Sequence, residues 1–293
     1  MKEQVFAPRI WHLAHERTLT LGPKALVMGI VNATPDSFSD GGRFATTEAA
    51  VEAALRMAEA GADILDIGGE STRPGAEPVS AEAEQARILP VIEGIAAQTP
   101  TPISVDTYRG ETARRAIEAG AHIVNDVWGF QRDPQVAEIA AAMGAACVVM
   151  HNGRERERMA DVVEDQYAYL DRSLEIARNA GLADTAIVLD PGFGFAKTAK
   201  ENVALMRRFG ELHRFGLPLL VGPSRKRFLG ALTGRAAGER DQATAAVSVA
   251  LRLAGAAIFR VHDVAANRDA LAVADAIVAD DEPALECQGE GES

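Results

Sequence analysis

The chain has 293 residues, 47% of them hydrophobic and 25% charged, with a net charge of −12. That composition is globular and excludes a disordered, collagen-like or coiled-coil chain. The acidic balance argues against a nucleic-acid or anionic-membrane surface, yet leaves an anionic substrate open, because a site's local charge can oppose the global one. The length suits one large domain or two small ones, and a (β/α)8 barrel takes about 250 residues. The longest apolar run, Ile139 to Met150, contains Gly144 and is too short to cross a bilayer. The N-terminus carries Arg9, His12, His15, Glu16 and Arg17 rather than a signal-peptide apolar stretch. Cys147 and Cys287 form no pairing pattern, and two free thiols point to a reducing cytoplasm.

In chain order, Ile10–Leu13 and Thr18–Leu21 predict a hairpin that plugs the bottom of a barrel. One theme then recurs: an alanine-rich, 3.6-periodic stretch ends in Gly, and a short apolar run follows. Gly61-Ala62 precedes Ile64-Leu65, Gly120-Ala121 precedes Ile123-Val124, and Gly144-Ala145 precedes Cys147 to Met150. Gly255-Ala256 precedes Ile258-Phe259, and Gly181 and Gly216 stand in looser versions. Gly just past a helix tolerates the left-handed conformation that ends it, and a short loop then feeds a buried strand. The predicted strands are Leu26–Val31, Asp63–Ile67, Ile103–Val105, His122–Asn125, Ala146–Met150, Ala186–Leu189, Leu219–Val221 and Ala256–Arg260. Between them, Val51, Ala54, Leu55 and Ala58 form an apolar helix stripe, Ser80 is an N-cap, and Thr198 with Glu201 has capping-box spacing. Repeated helix–Gly–strand units predict parallel strands with right-handed crossovers. The expected fold is a single α/β (β/α)8 TIM barrel over residues 1–279, with a doubly wound open sheet as the alternative. Residues 280–293 read as a disordered acidic tail.

Polar groups gather at one end of every predicted strand. They are Asn32; Asp66 and then Glu70 to Arg73; Asp106; Asn125 and Asp126; His151; Asp190; Ser224, Arg225 and Lys226; and Arg260 with His262. In a barrel that end carries the active site. Two loops there, from Asn32 to Gly42 and from Gly68 to Gly75, are polar, Gly-rich and long, and read as lids. Cys147 reads as a core residue, and His151 as a core or loop anchor at least as readily as a catalytic group.

These segments resemble dihydropteroate synthases. The resemblance runs from about Ala25 to Ile277 and is most specific in Met28 to Gly42 and Asp66 to Gly75. It is supported by Ser104 to Thr107, Asn125 to Val127, Asp190 to Phe195, Ser224 to Arg227 and Arg260 to His262. It implies an enzyme that joins a hydroxymethyl-dihydropterin diphosphate to p-aminobenzoate, releasing pyrophosphate and forming dihydropteroate. Carried over, Asp106, Asn125, Asp190 and Lys226 form the pterin pocket. Asn32, Thr72, Arg260 and His262 take the pyrophosphate, and Asn32 is the Mg²⁺ ligand. Phe38, Thr72, Arg73, Pro74, Ser224 and Arg225 take the p-aminobenzoate. Asp106, Lys226, Arg260 and His262 are the catalytic group. The resemblance also implies a homodimer acting on small molecules. Three stretches depart from the family pattern: Trp128-Gly129-Phe130, Asn152-Gly153-Arg154, and Ala196 in place of Gly.

The residues show no nucleophilic triad and no paired general acid and base. An SN1-like step suits them, in which the electron-rich pterin carries a cation that the arylamine traps. Competing readings are a pterin-dependent methyltransferase-type domain, a non-catalytic pterin-binding paralogue, and a phosphate-binding barrel of unrelated chemistry. The two long loops disfavour the first, the intact Asn32, Lys226, Arg260 and His262 the second, and the lack of an isolated inner-strand Lys or Glu the third.

Overall fold

The computed structural model describes residues 5–34, 47–71 and 77–279. The chain opens with an antiparallel hairpin, β1 (Arg9–His12) and β2 (Thr18–Leu21). The barrel strands follow: β3 (Leu26–Asn32), β4 (Ile64–Gly68), β5 (Ile103–Asp106), β6 (Ile123–Asp126), β7 (Ala146–Met150), β8 (Ile187–Asp190), β9 (Leu220–Val221) and β10 (Ile258–Val261). The helices between and after them are α1 (Thr47–Glu59), α2 (Ala81–Ala96), α3 (Gly110–Glu118), α4 (Gln135–Met143), α5 (Val162–Asn179), α6 (Ala199–Arg207), α7 (Arg227–Thr233), α8 (Asp241–Leu253) and α9 (Val264–Val278). The parallel order β8-β7-β6-β5-β4-β3-β10-β9 is closed by a parallel bridge between Leu189 and Leu219, with Leu189 N–H donating to the Pro218 carbonyl at 3.0 Å. This is the expected TIM barrel rather than an open sheet.

Local chemistry explains the element ends. Gly144 and Gly216 end their helices with φ of 65° and 69°, where a Cβ would be strained. Ser80 accepts the Ala83 N–H, and Thr198 and Glu201 form the capping box. The strands are buried on both faces and so lack the polar–apolar alternation of a half-exposed sheet. One alternate set of their residues, including Leu65, Val105, Val124, Val149 and Leu189, packs outward with the helices. The other set, including Met28, Ile64, Ile123, Val148, Val188, Leu220 and Ile258, fills the barrel together with Trp11, Leu13 and Leu21 of the hairpin. Trp11 is the plug: it is 1% exposed, and its indole N–H donates to the Ala186 carbonyl at 3.0 Å. No helix among the described residues is long and apolar enough to cross a membrane. Residues 35–42 and 72–75 of the two long loops and the whole acidic tail fall outside the described residues.

Candidate active site

Strand residues alternate between faces, so the inward set can be followed upward from the hairpin plug. Met28 leads through Ile30 to Asn32, Ile64 to Asp66, Ser104 to Asp106 and Ile123 to Asn125; Val188 leads to Asp190 and Ile258 to Arg260. The same arithmetic brings Met150 and Gly222 to the mouth. The barrel therefore changes from apolar to charged in one layer, at its C-terminal end.

Asp106, Asn125, Asp190, Lys226 and Arg260 line one cleft with the apolar Val127, Met150, Phe193 and Phe195; its empty volume, counted out to solvent, is about 320 Å³. A side chain at Gly222 would project into it, since its Cβ would lie 3.8 Å from Arg260 and 4.0 Å from Asp190 Oδ2. A wider cavity opens at the opposite end, beside Arg9, His213 and Gly216, but its one carboxylate, Glu211, is already bound to Arg208 at 2.7 Å. The convergent polar groups are in the smaller cleft.

Arg260 is the charge at its base. Its Nε lies 2.6 Å from Asp66 Oδ2 and its Nη2 2.7 Å from Asp106 Oδ2. Asn125 Nδ2 donates to the same Asp66 oxygen at 3.2 Å. Asp66 Oδ1 and Ser104 Oγ, side by side in the β4–β5 register, are both buried with no hydrogen-bond partner among the described residues. Burial pushes the Asp106 carboxyl well above the usual carboxylate range, against the pull of Arg260, and the Asp66 charge adds to the rise. Asp190 is pushed up to about 6 by burial, although the Gly192 N–H, Lys226 and Arg260 favour its anion. Gly192 N–H reaches Asp190 Oδ1 at 2.7 Å. Lys226 is pulled down to about 8 by burial and by Arg260, against Asp190 and Asp106. Its Nζ sits 4.2 Å from the Phe195 ring centroid, a cation–π contact that holds the ammonium over the cleft wall.

Ser224 and His262 form a second unit. His262 N–H donates to Ser224 Oγ at 3.1 Å, and Oγ lies 2.8 Å from His262 Nδ1. With the hydroxyl as donor to Nδ1, the imidazole proton is on Nε2. Burial and the nearby Arg225, Arg260 and Lys226 charges hold His262 down at about 3, so it is neutral. The Arg225 guanidinium, on a residue with φ 55°, holds Asp241 through Nε and Nη2 at 2.6 Å each. The Asn32 amide stands partly exposed at the end of β3 with no hydrogen bond to a described residue. Phe38, Thr72, Arg73 and Pro74 lie outside the described residues.

The structure thus brings together Asp106, Asn125, Asp190 and Lys226 and adds Arg260 to them. Arg260, a pyrophosphate ligand by the resemblance, pairs its guanidinium with two inner carboxylates. His151 is buried, faces Asp165 and Lys197, and does not line the cleft. The sequence reading put Asp66 in the polar layer without a specific role and gave Met150, Phe195 and Lys197 none. Counting by two from the apolar Val148 would have found Met150; nothing local marks Lys197.

Of the departures from the family pattern, Trp128-Gly129-Phe130 is a turn tied by Asp126, whose carboxylate accepts the Trp128 and Phe130 N–H groups at 2.7 Å each. Trp128 and Tyr108 pack against the Val127–Met150–Phe195 cluster at the cleft rim.

Fold and site define a TIM barrel whose mouth gathers carboxylates, an amide and cations in one cleft. A family profile described as a pterin binding enzyme matches residues 28–262. A dihydropteroate synthase of Bacillus subtilis is 46% identical over 246 residues, covering 84% of this chain and 86% of that protein. The dihydropteroate synthase of Xanthomonas albilineans, solved with 4-aminobenzoic acid, superposes with a TM-score of 0.86 at 45% identity, over 92% of this chain and 98% of that one. The Coxiella burnetii enzyme, solved with pteroic acid, gives a TM-score of 0.84 at 32% identity, over 93% and 100%. The chain belongs to the dihydropteroate synthase family.

Proposed function

We propose that this chain carries out its family's reaction, joining hydroxymethyl-dihydropterin diphosphate to p-aminobenzoate with release of pyrophosphate in folate biosynthesis. The observation that carries the reading is the convergence of Asp190, Asn125, Asp106 and Lys226 on one cleft floored by Arg260. A pterin edge offers adjacent N–H donors, which one carboxylate accepts together; Asp190 is that carboxylate, and Asn125 and Lys226 supply the mixed donors and acceptor the ring requires. That one relative is solved with 4-aminobenzoic acid and another with pteroic acid supports the two halves of the substrate pair.

The bond broken joins the pterin methylene carbon to the diphosphate oxygen. Its electron pair leaves with the diphosphate, and the positive charge spreads into the pterin ring, where Asp106 and Asp190 offset it. The arylamine nitrogen then forms the new C–N bond and loses its extra proton to water or to the released pyrophosphate. No nucleophile from the chain is needed. His262, through Nε2–H, and Arg260 stabilise the departing diphosphate, and the resemblance adds Thr72 to them. Phe38, Thr72, Arg73, Pro74, Ser224 and Arg225 form the arylamine side.

Asn32 would hold Mg²⁺ through its neutral oxygen, the remaining ligands coming from diphosphate and water. The Asn32 amide, which has no hydrogen bond to a described residue, fits that part. When bound, the ion neutralises the leaving group's growing charge. The enzyme acts in the cytoplasm, as a homodimer.

The test is pyrophosphate release measured with each substrate omitted. Release should require both the pterin diphosphate and p-aminobenzoate, with dihydropteroate formed in equal amount; release at an unchanged rate without p-aminobenzoate would overturn the reading.

A further inference from the structure

Behind the cleft, two loops are laced together by a buried polar chain whose own side chains, His151, Asp165 and Lys197, are not among the residues that line it. The loop after β7 starts at His151, and the loop after β8 runs from Pro191 to Thr198. His151 is 1% exposed, and its backbone N–H donates to the Asp190 carbonyl at 2.8 Å. Lys197 Nζ reaches His151 Nδ1 at 2.9 Å, the Gly192 carbonyl at 2.9 Å and the Phe195 carbonyl at 3.4 Å. These three acceptors match the three donors of an ammonium.

The histidine's proton follows from the charge of its lysine neighbour. With Lys197 as an ammonium, a state that burial pulls down to about 7, Nδ1 can only accept, and the proton of the neutral ring is on Nε2, which lies 3.0 Å from Asp165 Oδ2 and 3.0 Å from Arg156 Nη2. Burial, then the neighbouring Lys197 charge, holds His151 down at about 3, so the ring is neutral. Asp165 is anchored in turn: Arg156 grips both its oxygens, at 2.9 and 2.6 Å, and Met159 N–H donates at 2.8 Å. Burial raises the Asp165 carboxyl, but these bonds outweigh it and leave it well below the usual carboxylate range.

What Lys197 holds is the segment that shapes the pterin cleft. Gly192 N–H donates to Asp190 Oδ1 at 2.7 Å, and Gly192 runs so close to His151 that a Cβ would stand 2.1 Å from its carbonyl oxygen. Gly194 backs the Lys226 stem, where a Cβ would come within 3.0 Å of Cδ. Phe195 presents its ring to Lys226 Nζ at 4.2 Å and to the Arg154 guanidinium at 4.8 Å. One ammonium therefore fixes both ends of the turn that orients Asp190 and seats Lys226.

We propose that Lys197 is a positioning residue for the pterin site, aligned by His151 Nδ1 with Asp165 fixing the tautomer, and that it sets the Gly192–Phe195 turn through which Asp190 and Lys226 grip the ring. The inference rests on the reading of the cleft as the pterin site.

The test uses full-length protein and 6-hydroxymethylpterin, with Kd measured by calorimetry and KM and kcat by turnover. Lys197→Met keeps the stem and removes the donors. The Kd for 6-hydroxymethylpterin and the KM for the pterin diphosphate should rise about tenfold or more, with kcat at saturation falling less than threefold. Two histidine variants separate alignment from packing. His151→Asn keeps an oxygen where Nδ1 stood and can still accept from Lys197; His151→Gln keeps a donor where Nε2 stood and leaves Lys197 without its acceptor. Asn should retain most of the pterin affinity and Gln should behave like Lys197→Met. Equal Kd for Asn and Gln, an unchanged Kd for Lys197→Met, or a loss confined to kcat would overturn the proposal. The histidine pair decides the matter even if Lys197→Met fails to fold. Wild-type protein that binds no 6-hydroxymethylpterin would overturn the site reading and this proposal together, whereas wild-type binding that survives the substitutions overturns only the role of Lys197.

Discussion

Replacing Asp66 by Asn tests whether the charge layer at the barrel mouth is built as described. Asp66 is fully buried, 2.6 Å from Arg260 Nε, and shares that guanidinium with Asp106 at 2.7 Å. With charge centres about 4 Å apart, the lost attraction is on the order of 4 kcal/mol at an effective dielectric of about 20. Two effects reduce it. Arg260 keeps Asp106, so it is not left as an unpaired buried charge, whose cost would be about 3–5 kcal/mol. Removing one of two carboxylates crowded on a single guanidinium also relieves repulsion. The new amide can donate to Ser104 Oγ, its unpartnered neighbour in the register. A net loss of about 2 kcal/mol remains, which for a domain of this size lowers Tm by roughly 4–8 °C. Arg260, released from one anchor, should also hold a pterin about tenfold less tightly, about 1.4 kcal/mol. Calorimetric melting and titration with 6-hydroxymethylpterin read both. An unchanged Tm together with unchanged affinity would refute the claim that Asp66 orders Arg260.

Asp190→Asn places a donor where the pterin offers N–H groups; affinity should fall by about 1–3 kcal/mol, and wild-type affinity in calorimetry would remove Asp190 from the pocket. Pterin affinity should be greatest between about pH 6 and about pH 8, because Asp190, raised to about 6, must be ionised and Lys226, lowered to about 8, must be protonated; a titration series flat across both limits would contradict these roles. The sign for stability is opposite at Asp190: its raised value favours the unliganded fold at low pH, and that contribution fades as pH rises through about 6, which melting of the free protein against pH can follow. Asn32→Ala should raise the Mg²⁺ concentration needed for turnover while leaving Tm within about 1 °C, since a surface substitution with no lost contact costs under about 0.5 kcal/mol; full activity in excess chelator would remove the metal role.

Much of the molecule was legible locally. The strand ends fall within a residue or two of the predicted ones, and Gly61, Gly120, Gly144, Gly181, Gly216 and Gly255 all carry the positive φ that the helix–Gly–strand pattern requires. Ser80 and the Thr198–Glu201 pair cap the helices they were read to cap. These features depend on the preferences of a few adjacent residues and on periods of 3.6 and 2, which a sequence displays directly. The polar layer was legible as well, because closing eight parallel strands brings their C-terminal ends to one mouth. What each polar group does there was not. Arg260 meets Asp66 across 194 residues, Lys197 meets His151 across 46, and Arg225 turns to Asp241. Hydrogen-bonding capacity is finite, so a side chain's availability to a ligand depends on which distant partner has already taken its donors. That allocation follows from barrel closure and from the lacing of one loop to the next, and no local pattern encodes it.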